Sequence, residues 1–341
     1  MLSACVNSSF SSSTSARRQA GIALISVLLV FALASLLIGH LVTAAARDLQ
    51  RSTNYQGARQ AFWYALGGET LGRQILHADF QQDIVAGNPP SDGLIDNWAQ
   101  PLEEFEIEQG ALRLQINDLQ ARFNLNNLID QQGVASATER QQFDRLLQAL
   151  NVPINLAAVI VDWLDVDEVN SSGSKEDDVY LERTPSFLSA NTAMADVSEL
   201  RQLNGMTDEY YELLAPYLTA LPKSTKANAK LTSVNINTVS EQVFSSFANN
   251  ISLSRAQSEL ADRKTRKYTD QNPFSTSLFT ADSTNISYTS EYFEILVAAN
   301  FDKRWSYLRS VVHRDEQGTI TVLSRSMNKA AVAPLLQIDE S

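Results

Sequence analysis

The N-terminal part of the sequence contains the stretch Ala20-Gly21-Ile22-Ala23-Leu24-Ile25-Ser26-Val27-Leu28-Leu29-Val30-Phe31, which opens an apolar run that continues to Ala46. His40 is the only side chain in this run that can carry a charge. About 20 apolar residues, each rising about 1.5 Å, cross the hydrocarbon core of a bilayer. The run therefore predicts a transmembrane helix over residues 22–46.

The charges that flank this run indicate its orientation. Arg17 and Arg18 precede it without any acidic residue, and Arg47, Asp48 and Arg51 follow it. Because an excess of Lys and Arg is retained in the cytoplasm, we expect a cytoplasmic N-terminus. The chain after Ala46 then lies on the opposite, periplasmic side of an inner membrane that it crosses once.

The first 21 residues read as a leader. A secretory signal peptide has an apolar region of about 7–15 residues followed by a small-residue cleavage site, whereas here the run is longer and the small residue, Gly21, precedes it. The arrangement resembles the class III signals of type IV pilins and pseudopilins. That resemblance implies removal of residues 1–21 by a prepilin peptidase and a new, methylated N-terminus at Ile22. A plain signal anchor is the alternative.

Composition excludes several kinds of site. The formal net charge of the 341 residues is −12, and it would become −14 without residues 1–21, which argues against a phosphate-binding surface and leaves divalent cations as partners. Cys5 is the only cysteine and lies in the leader, so thiol catalysis, disulfides and a Cys zinc site are not expected. The three histidines are widely scattered, which disfavours a histidine metal site.

The rest of the chain predicts an α+β fold. An amphipathic helix is expected to continue to about Phe80, with Phe62, Trp63 and Tyr64 in a core stripe. Residues 102–118 alternate as a hairpin, and period-two patterns return at 292–301, 305–314 and 319–324. Helical patterns occupy the chain between these strands, so we expect one sheet interrupted by a long helical insertion, followed by a frayed tail.

An acidic loop follows the second helical pattern of the insertion. Its carboxylates surround the flexible segment Asn170-Ser171-Ser172-Gly173-Ser174. Calcium takes six to eight oxygen ligands, which such a loop can supply, although the spacing is not that of an EF-hand. A solvated acidic loop and a pair of acid–base carboxylates are the alternatives. The carboxylates concerned are Asp165, Asp167, Glu168, Glu176, Asp177 and Asp178.

Two later segments, 197–221 and 234–264, each have the layout of a helix-hairpin-helix unit. Such units often bind the DNA backbone. Here Asp208 and Glu209 follow the first turn, and the second turn lacks its glycine. We therefore interpret both as helical packing modules and expect no nucleic-acid partner.

Together these features resemble the type II secretion minor pseudopilin family called general secretion pathway protein K, over nearly the whole chain after Ala16. The specific motifs, in chain order, are Gly21-Ile22-Ala23-Leu24, Ala61-Phe62-Trp63-Tyr64-Ala65-Leu66-Gly67, Phe123-Asn124-Leu125-Asn126, Asp162-Trp163-Leu164-Asp165 with Glu176-Asp177, and Val234-Asn235-Ile236-Asn237-Thr238. Ordinary pilins have Glu five residues after the cut. Ser26 stands there in this chain, and the family typically lacks the Glu as well.

The resemblance implies a pilin-like antiparallel sheet and a non-enzymatic role at the tip of the pseudopilus. The implied partners are the minor pseudopilins I, J and H, the prepilin peptidase and the inner-membrane platform of the secretion system. It also implies calcium in the helical insertion, although Lys175 replaces the family's usual small residue before the Glu-Asp pair. The implied ligands are Asp165, Asp167, Glu176 and Asp177, with Asp178 and Glu199 as additions.

The expected domain order follows from these patterns: leader 1–21, transmembrane helix 22–46, amphipathic helix and first part of the pilin-like domain 47–134, helical insertion with the calcium loop 135–290, C-terminal strands 291–327 and tail 328–341. Two other functions stay open at this point. One is a membrane-anchored periplasmic hydrolase that uses the acidic cluster, and the other is a DNA-uptake pilus subunit that uses the two hairpins.

Overall fold

The computed structural model describes residues 16–102, 104–107, 109–166, 177–223, 231–279, 285–332 and 335, with backbone alone for 16–20. It divides into two units, one up to Gln60 and the other from Ala61 onward. Asp167 and Glu176 of the acidic loop and the leader residues before Ala16 lie outside the described residues.

Helix α1 (Ala16–Val85) begins in the first unit. Its stretch from Ile22 to Val42 is exposed throughout, and the most apolar window of the helix has none of its residues buried. The helix is long and apolar enough to cross a membrane, as the sequence predicts. It ends five residues after Phe80, just before Gly87, whose φ of +74° favours glycine.

The second unit contains β-strands and several helices. The strands are β1 (Phe105–Ile107), β2 (Gly110–Asp118), β3 (Phe123–Asn124), β4 (Leu218–Thr219), β5 (Val234–Asn235), β6 (Ile286–Ser287), β7 (Tyr292–Phe301), β8 (Arg304–Arg314) and β9 (Ile320–Ser326). Five of them form one antiparallel sheet in the order β1-β2-β7-β8-β9. The further α-helices are α2 (Ala137–Ala149), α3 (Leu156–Leu164), α4 (Asp177–Leu181), α5 (Asp208–Leu214), α6 (Glu241–Ser245) and α7 (Leu253–Glu259).

The helical insertion leaves and re-enters the sheet between adjacent strands. Strand β2 pairs with β7 from Gly110 opposite Phe301 to Asp118 opposite Phe293, so the chain departs after Asp118 and returns at Tyr292. The period-two segments of the sequence are the strands of this sheet. The α+β fold with an interrupted antiparallel sheet is confirmed.

The insertion contains two short parallel strand pairs. Strand β3 pairs with β4, and β5 pairs with β6, each over two residues. The first half of the expected hairpin at 197–221 is a 3-10 helix (Val197–Gln202) and not an α-helix, while α5 forms its second half. A separate hydrophobic core holds the insertion, with stacked Phe123 and Phe143 in it.

Helix α1 lies directly on the sheet through two glycines one turn apart. A Cβ atom on Gly68 would stand 2.7 Å from Val297 Cγ1, and one on Gly72 would stand 2.9 Å from Ile295 Cγ2. Glu69 is buried beside them and accepts hydrogen bonds from Ser310 Oγ at 2.7 Å and Arg325 Nε at 2.6 Å. Burial opposes its ionisation, but these bonds hold the pKa of the Glu69 carboxyl below its usual value.

Two expectations from the sequence are wrong. Trp63 is 56% exposed and not part of a core stripe, because the buried face of α1 follows Ala61, Ala65 and Gly68 at helical spacing. In the tail, Val332 and Leu335 are buried against Leu296 and Ala298 of β7, so the chain is not frayed at these two residues. Residues 333–334 and 336–341 lie outside the described residues.

The two neighbouring glycines of α1 provide a matched test of this packing. Gly68→Ala is expected to destabilise the chain by about 1–3 kcal/mol, because the methyl group overpacks Val297. Gly67→Ala, where a Cβ meets nothing within 4 Å, is expected to stabilise it by about 0.5–1 kcal/mol through helix propensity. Urea unfolding of the full chain in detergent micelles measures both, and equal effects of the two substitutions would contradict the close approach.

Candidate processing site, acidic loop and asparagine clamps

The bond between Gly21 and Ile22 lies on an exposed stretch of α1. A Cβ on Gly21 would meet nothing within 4 Å, and Ile22 is 67% exposed. One turn further along, Ser26 Oγ donates to the backbone oxygen of Ile22 at 2.9 Å. The hydroxyl at this position is therefore satisfied inside its own helix, as serine in apolar helices commonly is.

The acidic loop is described only at its two ends. Asp165 is half-buried at the C-terminus of α3, and Asp177 begins α4, where its Oδ1 accepts from the backbone N–H of Ser189 at 2.8 Å. Asp178 is exposed. Within the described ranges, no group of three His, Cys, Asp or Glu side chains is close enough to hold a metal ion.

Glu199 has a structural role in the same region. Its Oε1 accepts from the backbone N–H groups of Ala195 at 2.6 Å and Asp196 at 3.2 Å, which forms a capping box at the start of the 3-10 helix. Asp196 also accepts from Arg309 of β8 at 2.7 Å, so this cap ties the insertion to the sheet.

The predicted ligands are of the type that a hard cation binds, but the described residues bring only some of them near the loop. All six sequence-predicted ligands are carboxylates, which suit calcium and not zinc. Asp165 and Asp177 flank residues 167–176, while one oxygen of Glu199 already serves a helix cap. The described residues include both ends of the loop, and they do not form a complete set of ligands.

Two buried asparagines clamp the insertion in the same way. Asn126 Nδ2 donates to the carbonyls of Met194 and Leu221, both at 2.9 Å, and its Oδ1 accepts from the N–H of Met194 at 2.8 Å. The side-chain amide of Asn126 therefore both donates to and accepts from the backbone of one distant residue, Met194. This clamp holds together the segment between Phe123 and Leu221, which forms the first clamped unit.

The second clamp repeats the geometry. Asn237 Nδ2 donates to the carbonyls of Tyr268 at 2.9 Å and Tyr288 at 3.3 Å, and its Oδ1 accepts from the N–H of Tyr268 at 2.7 Å. In each Asn-x-Asn motif the first asparagine accepts from the N–H of the second, at 3.2 Å for Asn124 and 3.0 Å for Asn235. The described part of the insertion therefore contains two clamped units, one within 123–221 and the other within 234–290.

Both asparagine motifs are visible in the sequence, but the sequence does not indicate that they clamp distant segments. The recurrence of Asn-x-Asn after a short apolar segment was the available signal. The partner residues lie 31 to 95 positions away, so no local pattern indicates them.

The basic cluster at 263–267 is largely used inside the molecule. Arg263 bonds the Val239 carbonyl and Glu241, and Arg266 pairs with Asp262 at 2.8 Å. Lys267 Nζ lies 2.9 Å from Asp96 Oδ1. These three cations are neutralised by the chain's own acids, which does not favour a phosphate-binding surface.

Comparison with known proteins gives consistent matches. A family model described as "Type II secretion system (T2SS), protein K" matches residues 121–223, which correspond closely to the first clamped unit. A protein from Pseudomonas aeruginosa, called type II secretion system protein K, is 32% identical over 93% of this chain and 95% of its own length. A protein of the same name from Aeromonas hydrophila is 30% identical over 91% of this chain and 98% of its own length.

A solved structure shares the fold. It is the GspK-GspI-GspJ complex of the type 2 secretion system from enterotoxigenic Escherichia coli, in which one chain aligns with a TM-score of 0.64 and 24% identity. The alignment covers 82% of this chain and 99% of that one. At this level of identity the likeness concerns the arrangement of helices and strands.

Proposed function

Because the chain belongs to the type II secretion system protein K family and is a minor pseudopilin, we propose that it caps the tip of a periplasmic pseudopilus. In this proposal it is a structural, non-enzymatic subunit. Its apolar helix holds it in the inner membrane, with a cytoplasmic N-terminus and a periplasmic head, until assembly extracts it.

The observation that carries the capping proposal is Ser26. In ordinary pilins the carboxylate at this position is thought to meet the N-terminus of the preceding subunit, and an unpartnered carboxylate in lipid is costly. The Ser26 hydroxyl instead donates to Ile22 within its own helix. A first subunit with no predecessor needs no such carboxylate, so a self-satisfied hydroxyl suits the tip.

The insertion supports the same proposal through its size. It occupies the chain between Asp118 and Tyr292 and forms two clamped units with a core of their own. An insertion of this size would obstruct the addition of a further subunit. The proposed partners in the tip are the minor pseudopilins I and J, as in the E. coli complex, with H and the inner-membrane platform adjoining.

Processing at Gly21 tests the membrane part of the proposal. We expect the chain recovered from membranes of cells that contain a prepilin peptidase to begin at Ile22 and to be heavier by one methyl group. Intact mass spectrometry, with and without the peptidase, measures this. Gly21→Val should abolish the cut, because a bulky side chain replaces the exposed glycine, whereas Gly39→Val in the same apolar helix should leave it unchanged. A product cut after Ala46 would contradict the proposal.

Association with pseudopilins I and J tests the tip assembly. The processed chain, mixed in detergent with separately purified I and J pseudopilins of the same secretion system, is expected to form one complex of one copy each. Size-exclusion chromatography with light scattering measures the mass. The major pseudopilin serves as the control partner, and a chain that elutes alone with I and J would argue against the tip assignment.

We also propose that calcium binds the acidic loop, on the basis of its all-carboxylate donor set and of Asp165 and Asp177 at its two ends. Asp167 and Glu176 would complete the ligands, with Asp178 and Glu199 as additional ligands. Carboxylates that converge on a cation would otherwise repel one another, so binding would stabilise this part of the insertion.

The calcium proposal predicts a thermal shift. Calcium at about 100 times its dissociation constant should stabilise the chain by about 2.7 kcal/mol, and EDTA should remove the effect. Asp165→Asn and Asp177→Asn should each weaken binding in isothermal titration. Asp208→Asn, at an 80% exposed side chain paired with Arg201, is the control and should bind calcium normally. The site would be excluded if Asp165→Asn and Asp177→Asn bound calcium as tightly as the control Asp208→Asn.

A further inference from the structure

The outer edge of strand β2 lacks a neighbouring strand over most of its length. Strand β1 pairs only with Gly110 to Leu112, whereas β7 pairs with β2 as far as Asp118. Residues 113–118 of β2 therefore have a strand on one side and, among the described residues, none on the other. An open edge of this kind is a template for a further strand.

The hydrogen-bonding pattern of β2 indicates which backbone groups lie at this edge. The N–H of Asp302 donates to the Gln109 carbonyl at 3.0 Å, so residue 109 bonds toward the β7 side. Because bonding residues alternate along an antiparallel ladder, the odd-numbered residues 111–117 also bond toward β7. Leu114 and Ile116 therefore direct their N–H and C=O groups to the outer edge.

A groove of about 580 Å³ lies between this edge and the loop that precedes β1. Its volume is in the range of pockets that bind ligands. Among the described residues, no backbone hydrogen bond joins residues 97–102 of the loop to residues 113–118 of β2. Pro101 and Leu102 of the loop and Leu114 and Ile116 of β2 give the groove an apolar lining, and Leu335 lines it as well.

A second cavity, of about 240 Å³, lies toward the end of β2 and shares Ala99, Ile116 and Asn117 with the groove. Trp98 and Arg122 also line it. Trp98 is 2% exposed, and among the described residues its indole N–H has no hydrogen-bond partner. The groove therefore leads to a buried donor that lacks an acceptor.

The tail of the chain reaches this groove. Val332 and Leu335 pack against Leu296 and Ala298 of β7, which alternate with the β7 residues that face α1. The Leu335 carbonyl accepts from Arg113 Nη1 at 3.4 Å. The chain has thus crossed the sheet from β8 to β2 and arrives at one end of the groove.

The sequence that follows Leu335 has the pattern of a strand. It reads Leu336-Gln337-Ile338-Asp339-Glu340-Ser341, in which apolar Leu336 and Ile338 alternate with polar Gln337 and Asp339. This alternation is typical of a strand with one buried face. The segment therefore suits a groove that is apolar on one side of the sheet.

The position of Leu335 beside Arg113 sets the register of such a strand. Since both strands rise about 3.3 Å per residue, a strand parallel to β2 would bring residue 337 opposite Gln115 and residue 339 opposite Asn117. Residues 336 and 338 would then lie on the α1 side of the sheet, as Leu114 and Ile116 do.

The far end of the groove supplies a cation for the acids of the segment. Arg122 Nη2 lies 3.5 Å from Glu294 Oε2, while Glu294 already accepts from Arg309 Nε at 2.5 Å. Arg122 therefore makes the longer of the two contacts and can pair with a further carboxylate. Asn117 donates to the same Glu294 at 3.0 Å, so residue 339 opposite Asn117 would lie beside Arg122.

We propose that residues 336–341 bind this groove as a strand parallel to β2. Leu336 and Ile338 fill its apolar side, and Asp339 pairs with Arg122. The outward backbone groups of Leu114 and Ile116 gain partners, and β1 and the tail together close this edge of the sheet to other chains. The contacts lie within one chain, so the proposal does not depend on the tip assignment.

Paired cysteine substitutions test the register. Cys5 is the only cysteine, so the pairs are made in the full chain with Cys5→Ser, in detergent micelles and a glutathione buffer. The matched pairs, Gln115→Cys with Gln337→Cys and Asn117→Cys with Asp339→Cys, are expected to form intrachain disulfides. The crossed pairs, 115 with 339 and 117 with 337, should yield about tenfold less, because their Cα atoms would be about 7–8 Å apart, too far for a disulfide.

Each position occurs in one matched and one crossed pair, so a disturbance caused by a single substitution affects both kinds. Intact mass after alkylation of free thiols measures the yield, and non-reducing electrophoresis separates intrachain from interchain bonds. Equal yields from matched and crossed pairs, or no disulfide in either matched pair, would overturn the proposal. Disulfides that form only between chains would also overturn it and would identify a second copy as the occupant.

Amide hydrogen exchange tests the backbone pairing without cysteines. Ile338→Asp places a charge on the apolar side of the groove, so the Ile116 amide is expected to exchange about tenfold faster than in wild type, while strands β7 and β8 change little. Ser341→Asp, the same change beyond the groove, is the matched control. Mass spectrometry with single-residue fragmentation measures the rates, and equal exchange of Ile116 in both variants would contradict the proposed strand.

Discussion

The antiparallel pairing of β2 with β7 is the contact on which the rest of the head depends. It places Asp118 and Tyr292 at the same end of the sheet, so everything between them must leave from and return to one point. Closing a loop of this length costs only slightly more entropy than closing a shorter one, because the cost grows with the logarithm of length. The pairing is therefore compatible with a large insertion, provided that the insertion supplies its own core. It does so through two units, each built around an Asn-x-Asn motif and a short parallel strand pair.

Buried polar groups add to the apolar packing that connects these parts. Glu69 joins α1 to β8 and β9 through Ser310 and Arg325. Arg309 joins β8 to the insertion through Asp196. Asp118 joins the end of β2 to the second clamped unit through Thr238 and the residues around it. Each of these connections gives a buried or half-buried carboxylate direct hydrogen-bond partners on another element.

The sequence predicts the elements that depend on periodicity and not those that depend on distant partners. The strands 292–301 and 305–314 follow from alternation along a pleated chain, and α1 follows from an unbroken apolar run. Trp63 was misassigned because a motif of three consecutive aromatic residues cannot all face one side of a helix, and the glycines decide which side is buried. The partners of Asn126 and Asn237 could not be predicted, since a clamp is defined by carbonyls on other segments. For the acidic loop, the sequence indicates oxygen donors, while Asp167 and Glu176 lie outside the described residues.

The separation of an exposed apolar helix from a self-contained head has a consequence for assembly. Moving the stretch from Ile22 to Val42 from lipid to contact with other helices exchanges one apolar environment for another, so the hydrophobic effect contributes little net free energy. The position of a subunit in a filament must then be decided by other differences. On the helix, the difference is polar. Ordinary pilins have a carboxylate at this position, which would need a partner, whereas Ser26 has a hydroxyl that donates within its own helix. On the head, it is steric, because the insertion between β2 and β7 adds bulk that an uninterrupted sheet would lack. In the proposed tip position, both differences would make a neighbour on one side unnecessary or obstructed, which is the physical requirement for a terminal subunit.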